Sequence, residues 1–213
     1  MKVYFVPGLG ADKRVFKHLV LPDSCDAVYL EWLKPEAKES LEDYSKRMSA
    51  QIQANEPFYI LGLSLGGMIA AEITRIYPNG RLIMISSVPH PGHLPSYFRW
   101  MQKAQLQKIV PVAAIKVSVY LKHFFTNESS ENKQIVCSMV RESDPVFIKW
   151  ALNAVLEWKG SDFHQEKIHI HGTKDIVLPV RYTRPTHIIQ KGSHLMIMEN
   201  ASEINDILCQ VLI

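Results

Sequence analysis

One serine stands where nucleophilic chemistry could be done. In the stretch YILGLSLGGM, residues 59–68, an apolar run ends in a cluster of glycines around Ser64, and helix-forming sequence follows from Met68. Gly62-Leu63-Ser64-Leu65-Gly66 fits the pattern G-x-S-x-G, which has a mechanical meaning when a strand precedes it and a helix follows. A hydroxyl is a poor nucleophile at its own pKa. It has to stand clear of the backbone, so that a base reaches it from one side and a carbonyl carbon from the other. A sharp strand-to-helix turn does this by holding the serine at φ above zero. Backbone then passes so close that the flanking positions must lack side chains. A helix starting at Leu65 aims its free N–H groups at the place where negative charge would develop.

Other chemistries fit these residues less well. A phosphate loop needs Gly-Lys-Ser/Thr after its spacer, but Gly67 is followed by Met68. Gly8-Leu9-Gly10 opens like a dinucleotide-binding turn, yet its third glycine would fall at position 13, which is Lys13. His90 with His93, or His169 with His171, has a spacing a metal could use. No further ligands are evident in the sequence, so no metal and no cofactor are expected. Cys25, Cys137 and Cys209 are odd in number and widely spaced, which predicts reduced, buried or half-buried thiols.

The elements that must position Ser64 alternate between apolar strands and helices. Strands are predicted at Val3–Val6, Ala27–Leu30, Phe58–Leu61 and Leu82–Ile85, with Pro7-Gly8-Leu9-Gly10 turning after the first. Helices are predicted over 12–20, over Leu41–Ala54 behind a Ser40 cap, and over Leu65–Tyr77. This alternation implies a parallel sheet covered on both faces. The rhythm changes from about residue 94 to 158, where four helical stretches are predicted near 95–109, 112–125, 131–142 and 145–157, the last begun by Asp144-Pro145. Strands resume at 167–171 and 186–189, and a helix is predicted over 199–212. The division expected is a body of residues 1–90 and 160–213 with a helical insertion at 91–159.

Composition sets outer limits. With 213 residues and 47% hydrophobic content, the chain suits one large domain, or one domain with an insertion. A net charge of +3 without a block of Lys or Arg argues against nucleic-acid partners. No apolar run reaches the roughly 18 residues a membrane span needs. Met1 to Val6 runs straight into strand-like sequence rather than a signal peptide, so a cytoplasmic location is expected.

Three stretches together resemble the α/β-hydrolase superfamily. They are the glycine-flanked serine, His171-Gly172-Thr173-Lys174-Asp175 after a strand, and Gly192-Ser193-His194 before the last helix. The resemblance implies an α/β-hydrolase fold, with a mostly parallel central sheet flanked by helices and an all-helical lid. In that family the triad runs Ser, then Asp or Glu, then His along the chain, which implies Ser64, Asp175 and His194. The residues agree, because loops after different parallel strands meet along one sheet edge and all three follow predicted strands. Asp162, ahead of the strand at 167–171, remains a rival acid; Asp144 is explained as a helix cap. His169 and His171 share one face of a strand, which suits burial or hydrogen bonding. The resemblance also implies an oxyanion hole from the backbone N–H groups of Leu65 and Leu9. The chain departs from the family in carrying Pro7-Gly8 where His-Gly is usual. The short 176–185 connection leaves room for a turn or one short helical turn.

The insertion holds Trp100, Trp150 and Trp158, with Tyr97, Phe98, Tyr120, Phe124, Phe125 and Phe147. These could line an apolar pocket or simply join the lid to the body. The expected activity is that of a carboxylesterase-like serine hydrolase acting on a small, apolar-leaning ester or acyl substrate. Thioesterase, C–C hydrolase, acyltransferase and hydroxynitrile lyase chemistries share the triad, and a small-molecule receptor can retain it with slow turnover.

Overall fold

A computed structural model describes residues 1–105, 110–114, 116, 130–160 and 166–212. Its strands are β1 (Lys2–Val6), β2 (Asp26–Tyr29), β3 (Phe58–Leu63), β4 (Gly80–Ile85), β5 (Lys167–Gly172) and β6 (His187–Ile189). They form one sheet in the order β2-β1-β3-β4-β5-β6, every neighbouring pair parallel. The central strand β3, sequence FYILGL, is buried along its whole length. A strand covered on both faces has no polar side to keep, which is why it reads as an unbroken apolar run. Alternation along the strands sends Tyr4, Val6, Phe58 and Ile60 to one core, and Val3, Phe5, Tyr59 and Leu61 to the other.

Strand order reverses between β1 and β3. The chain steps outward from β1 to β2, then returns to the other side of β1 to lay down β3. Such a switch point opens a crevice at the carboxyl ends of two adjacent strands. The loop after β1 and the turn after β3 meet there.

The helices are α1 (Leu41–Met48), α2 (Leu65–Ile76), α3 (Ser96–Lys103), α4 (Ser130–Glu142), α5 (Pro145–Glu157), α6 (Met196–Glu199) and α7 (Ala201–Val211). Several differ from expectation. The helix predicted to reach Ala54 ends at Met48 and tightens into a single 3₁₀ turn at Ser49–Gln51. There the Ser45 and Ser49 hydroxyls donate to the carbonyls of Leu41 and Lys46, each at 2.7 Å, competing with the backbone ladder. Residues 12–20 give only a 3₁₀ turn at Lys13–Phe16, capped by Asp12. The final helix is split at Asn200, whose φ of -115° and ψ of 33° are not helical. Cys209 is exposed rather than buried or half-buried.

Regular structure among the described residues of 91–159 is helical. Most of the helix expected at 112–125, with Tyr120, Phe124 and Phe125, lies outside the described residues, as do residues 106–109 and Asp162. Asp144 caps α5 as expected, accepting from the Val146 N–H at 2.8 Å. The described helices of 91–159 pack into the rest of the chain. Phe147, Ala151 and Ala154 of α5 join one core, and Val136, Met139 and Val140 of α4 join the other. Both ends are tied to α2. Trp158 donates its indole N–H to Glu72 at 2.7 Å; Arg75, paired with the same carboxylate, donates to the Pro89 carbonyl at 3.1 Å. The aromatics mostly pack: Phe147 and Trp158 are buried, and the Trp150 ring lies 4.2 Å from that of Tyr44. Trp100, 63% exposed, faces outward instead.

Candidate active site

Ser64 is the single residue between β3 and α2, and its φ of 52° and ψ of -117° are the strained values the glycine pattern predicts. Its N–H donates to Ile85 O at 3.0 Å, and its carbonyl accepts from the Gly67 N–H at 2.9 Å and the Ser87 hydroxyl at 2.6 Å. The glycines are steric requirements. A Cβ on Gly62 would lie 2.3 Å from Gly66 O, and one on Gly66 would lie 2.1 Å from Val6 O. The second contact seats the start of α2 on the loop leaving β1. In that loop a Cβ on Gly8 would sit 3.5 Å from Ser64 Cβ, which places the segment carrying Leu9 beside the serine. Leu65 is the first residue of α2, at the same corner.

Asp175 and His194 arrive from the loops after β5 and β6. The two loops are joined through backbone. The Thr173 N–H donates to Ile189 O at 3.1 Å, the Lys174 N–H donates to Gly192 O at 2.9 Å, and a Cβ on Gly172 would fall 2.2 Å from Gly192 O. His194 Nδ1 is 2.8 Å from Asp175 Oδ2, and His194 Nε2 is 3.0 Å from Ser64 Oγ. The three side chains predicted from sequence thus form one hydrogen-bonded chain. The Asp175 side chain is fully buried, whereas that of His194 is 15% exposed. Burial alone would raise the Asp175 pKa. Hydrogen bonds from His171 and His194, the His194 charge and the Leu178 N–H outweigh it and hold the carboxyl well below the usual carboxylate range. The 176–185 connection is a 3₁₀ turn at Val180–Tyr182, as its length implied.

Ser87 escaped the sequence reading, and for His171 that reading gave burial and hydrogen bonding but not its nearness to Asp175. Ser87 braces the strained turn, and its only signal is a Ser-Ser pair directly after an apolar strand at the same sheet edge. His171 approaches Asp175 Oδ2 at 3.3 Å, a contact visible only once the loop after β5 is folded back. Among the described residues no group of three or more His, Cys, Asp or Glu could hold a metal ion. No described helix is long and apolar enough to cross a membrane. A cavity of about 370 Å³ adjoins the first loop at Gly10 and Ala11, walled by Trp32, Leu33, Met139 and Phe147.

No family model matches the chain. A Mycobacterium tuberculosis protein known only as uncharacterized protein Rv2715 is 26% identical over 195 residues, covering 79% of this chain; the chain spans 57% of that relative's length. A pimeloyl-acyl-carrier-protein methyl ester esterase of Neisseria meningitidis serogroup A is 25% identical, over 94% of this chain and 70% of that protein. Among solved structures, a thermophilic esterase from Thermogutta terrifontis superposes over 100% of this chain and 89% of its own, with a TM-score of 0.76 and 16% identity. At that identity the likeness speaks for fold. With six parallel strands, a sharp serine turn at the switch point and this superposition, the chain has the α/β-hydrolase fold.

Proposed function

We propose that the protein is a serine hydrolase that cleaves a carboxylic ester. The observation that carries this reading is the chain from Ser64 Oγ through both nitrogens of His194 to the buried Asp175, with links of 3.0 and 2.8 Å. Ser64 Oγ attacks the ester carbonyl while its proton passes to His194 Nε2. Asp175 keeps the other ring proton on Nδ1 and stabilises the imidazolium. The backbone N–H groups of Leu65 and Leu9 stabilise the oxyanion; Pro7 has no N–H to contribute. The imidazolium then protonates the departing alcohol. Water, deprotonated by the same nitrogen, hydrolyses the acyl-enzyme. No cofactor enters these steps.

The substrate is a small, apolar-leaning ester; the cavity beside the first loop sets Trp32, Leu33, Met139 and Phe147 among the polar Asp12, Lys34, Glu142 and Asp144. In the same reading residues 1–90 and 160–213 are the catalytic body and 91–159 its cover. The esterase names among the relatives favour esters over the other bonds such a triad can break.

A fluorophosphonate probe should label Ser64, located by peptide mass spectrometry, and Ser64→Ala should lose roughly 10⁴-fold or more in kcat while staying folded. Labelling at another residue overturns the assignment. A panel of p-nitrophenyl esters of increasing acyl length gives the preferred size. Steady turnover supports the enzyme; a single burst with a stalled adduct indicates a slow receptor.

A further inference from the structure

We propose that His171 is a positioning residue for Asp175. From inside β5 its Nε2 stands 3.3 Å from Asp175 Oδ2, a fourth polar contact on the carboxylate that holds it square to His194. The inference deepens the triad reading and rests on it.

Geometry fixes where the protons lie. His171 is fully buried, with Nε2 2.7 Å from Leu178 O and 3.3 Å from Asp175 Oδ2. A carbonyl only accepts, so Nε2 carries the hydrogen and donates it to Leu178 O, with Asp175 Oδ2 the longer contact on the same side of the ring. The Nδ1 of the neutral ring is then an acceptor, and the buried His169, with Nε2 3.1 Å away, donates to it. His169 thereby selects the tautomer of His171 from two residues along the same strand. Asp175 Oδ1 meanwhile accepts the N–H groups of Val177 and Leu178 at 2.9 and 2.8 Å, and Oδ2 accepts His194 Nδ1 at 2.8 Å. A carboxylate has about four lone-pair sites. His171 fills the last one, so the carboxylate has no free direction in which to rotate.

The fourth donor also sets how strongly Asp175 acts on His194. A negative charge shared among more donors stabilises the neighbouring imidazolium less. The other titratable or charged groups facing this cluster are His169 and Lys167 on β5, His93 ahead of α3, and Tyr97 on α3. The Tyr97 hydroxyl is directed to Val177 O rather than to the carboxylate.

The test compares His171→Leu, which removes the donor, with His171→Gln, whose amide can restore it. In p-nitrophenyl acetate hydrolysis the leucine variant should lose about tenfold in kcat, with KM within about twofold. Its acid limb in kcat/KM should move up by about half a pH unit, because a fuller negative charge favours the imidazolium. Glutamine should recover most of both changes. A purely structural His171 would lower the melting temperature and leave kcat and the limb of the folded variant unchanged, which overturns the proposal. A second measurement needs neither variant nor turnover. Nitrogen-15 NMR of the wild-type histidines at pH 8 should find the His171 proton on Nε2; a proton on Nδ1 overturns the proposal. If no ester is cleaved while that proton pattern holds, the esterase reading fails and the buried contact stands. If esters are cleaved and the leucine variant matches wild type, only the role of His171 is lost.

Discussion

His194 can accept a proton from Ser64 only if its own ring proton sits on the far nitrogen, facing Asp175. An amide in place of that carboxylate can favour the wrong tautomer and leaves the imidazolium without a counter-charge. Asp175→Asn should therefore lower kcat by about 10³ to 10⁴ at neutral pH with little change in KM. Asp162→Asn should cost under about tenfold; were it the crippled variant, the acid would belong on the earlier loop. The pH profile gives an independent check. Asp175 is held below the usual carboxylate range, so it stays ionised through any ordinary assay. If one imidazole is the base, kcat/KM on a chemistry-limited substrate should rise with pH along its acid limb with a limiting slope of one. A flat profile, or a slope of two, contradicts a single histidine base. Ser64, Asp175 and His194 were legible because each sits in a short local pattern. Ser87 reaches Ser64 from the end of a neighbouring strand, and His171 meets Asp175 four residues on because the loop after β5 turns back; neither strand register nor loop path is encoded by a local pattern.

At the level of elements, the turn at Ser64 exists because α2, β3 and the loop after β1 touch through bare backbone. Gly66→Ala would push a methyl group to 2.1 Å from Val6 O, and neither neighbour is a flexible side chain that can yield. It should destabilise the fold by about 3 kcal/mol or more in urea unfolding. Gly8→Ala is the control, since its Cβ would meet nothing closer than 3.4 Å and should cost under about 1 kcal/mol. Equal stability of the two variants would mean the turn can relax, and that its glycines serve some other end. The strands and the principal helices were readable from their apolar periods. Their ends were less so. Ser45 and Ser49 look like ordinary helix residues until their hydroxyls are seen on the carbonyls of the preceding turn.

For the molecule as a whole, the buried His169 makes stability depend on pH. Burial first, then the neighbouring His171 and Lys167, lower the His169 pKa from 6.5 to about 3. As pH falls below 6.5 the unfolded chain takes up this proton and the folded chain does not. The stabilisation present at neutral pH is therefore lost progressively as pH drops towards 3. Urea unfolding should show roughly 1–2 kcal/mol less stability at pH 5 than at pH 7, and His169→Gln should flatten that slope. A parallel sheet could be read from strand–helix alternation, and the switch point follows from strand order. That α4 and α5 feed both cores could not be read, because amphipathic helices do not declare which surface they will meet. The spacing of the three site residues along the chain also has a consequence in time. Asp175 and His194 are 19 residues apart, on loops already joined by backbone, whereas Ser64 precedes His194 by 130 residues. Synthesis proceeds from the N-terminus at roughly 5–20 residues per second. The serine turn thus leaves the ribosome on the order of ten seconds before its base. On the proposed mechanism the newborn chain therefore holds Ser64 without His194 beside it, and hydrolysis begins only once the loops carrying Asp175 and His194 close over the serine turn.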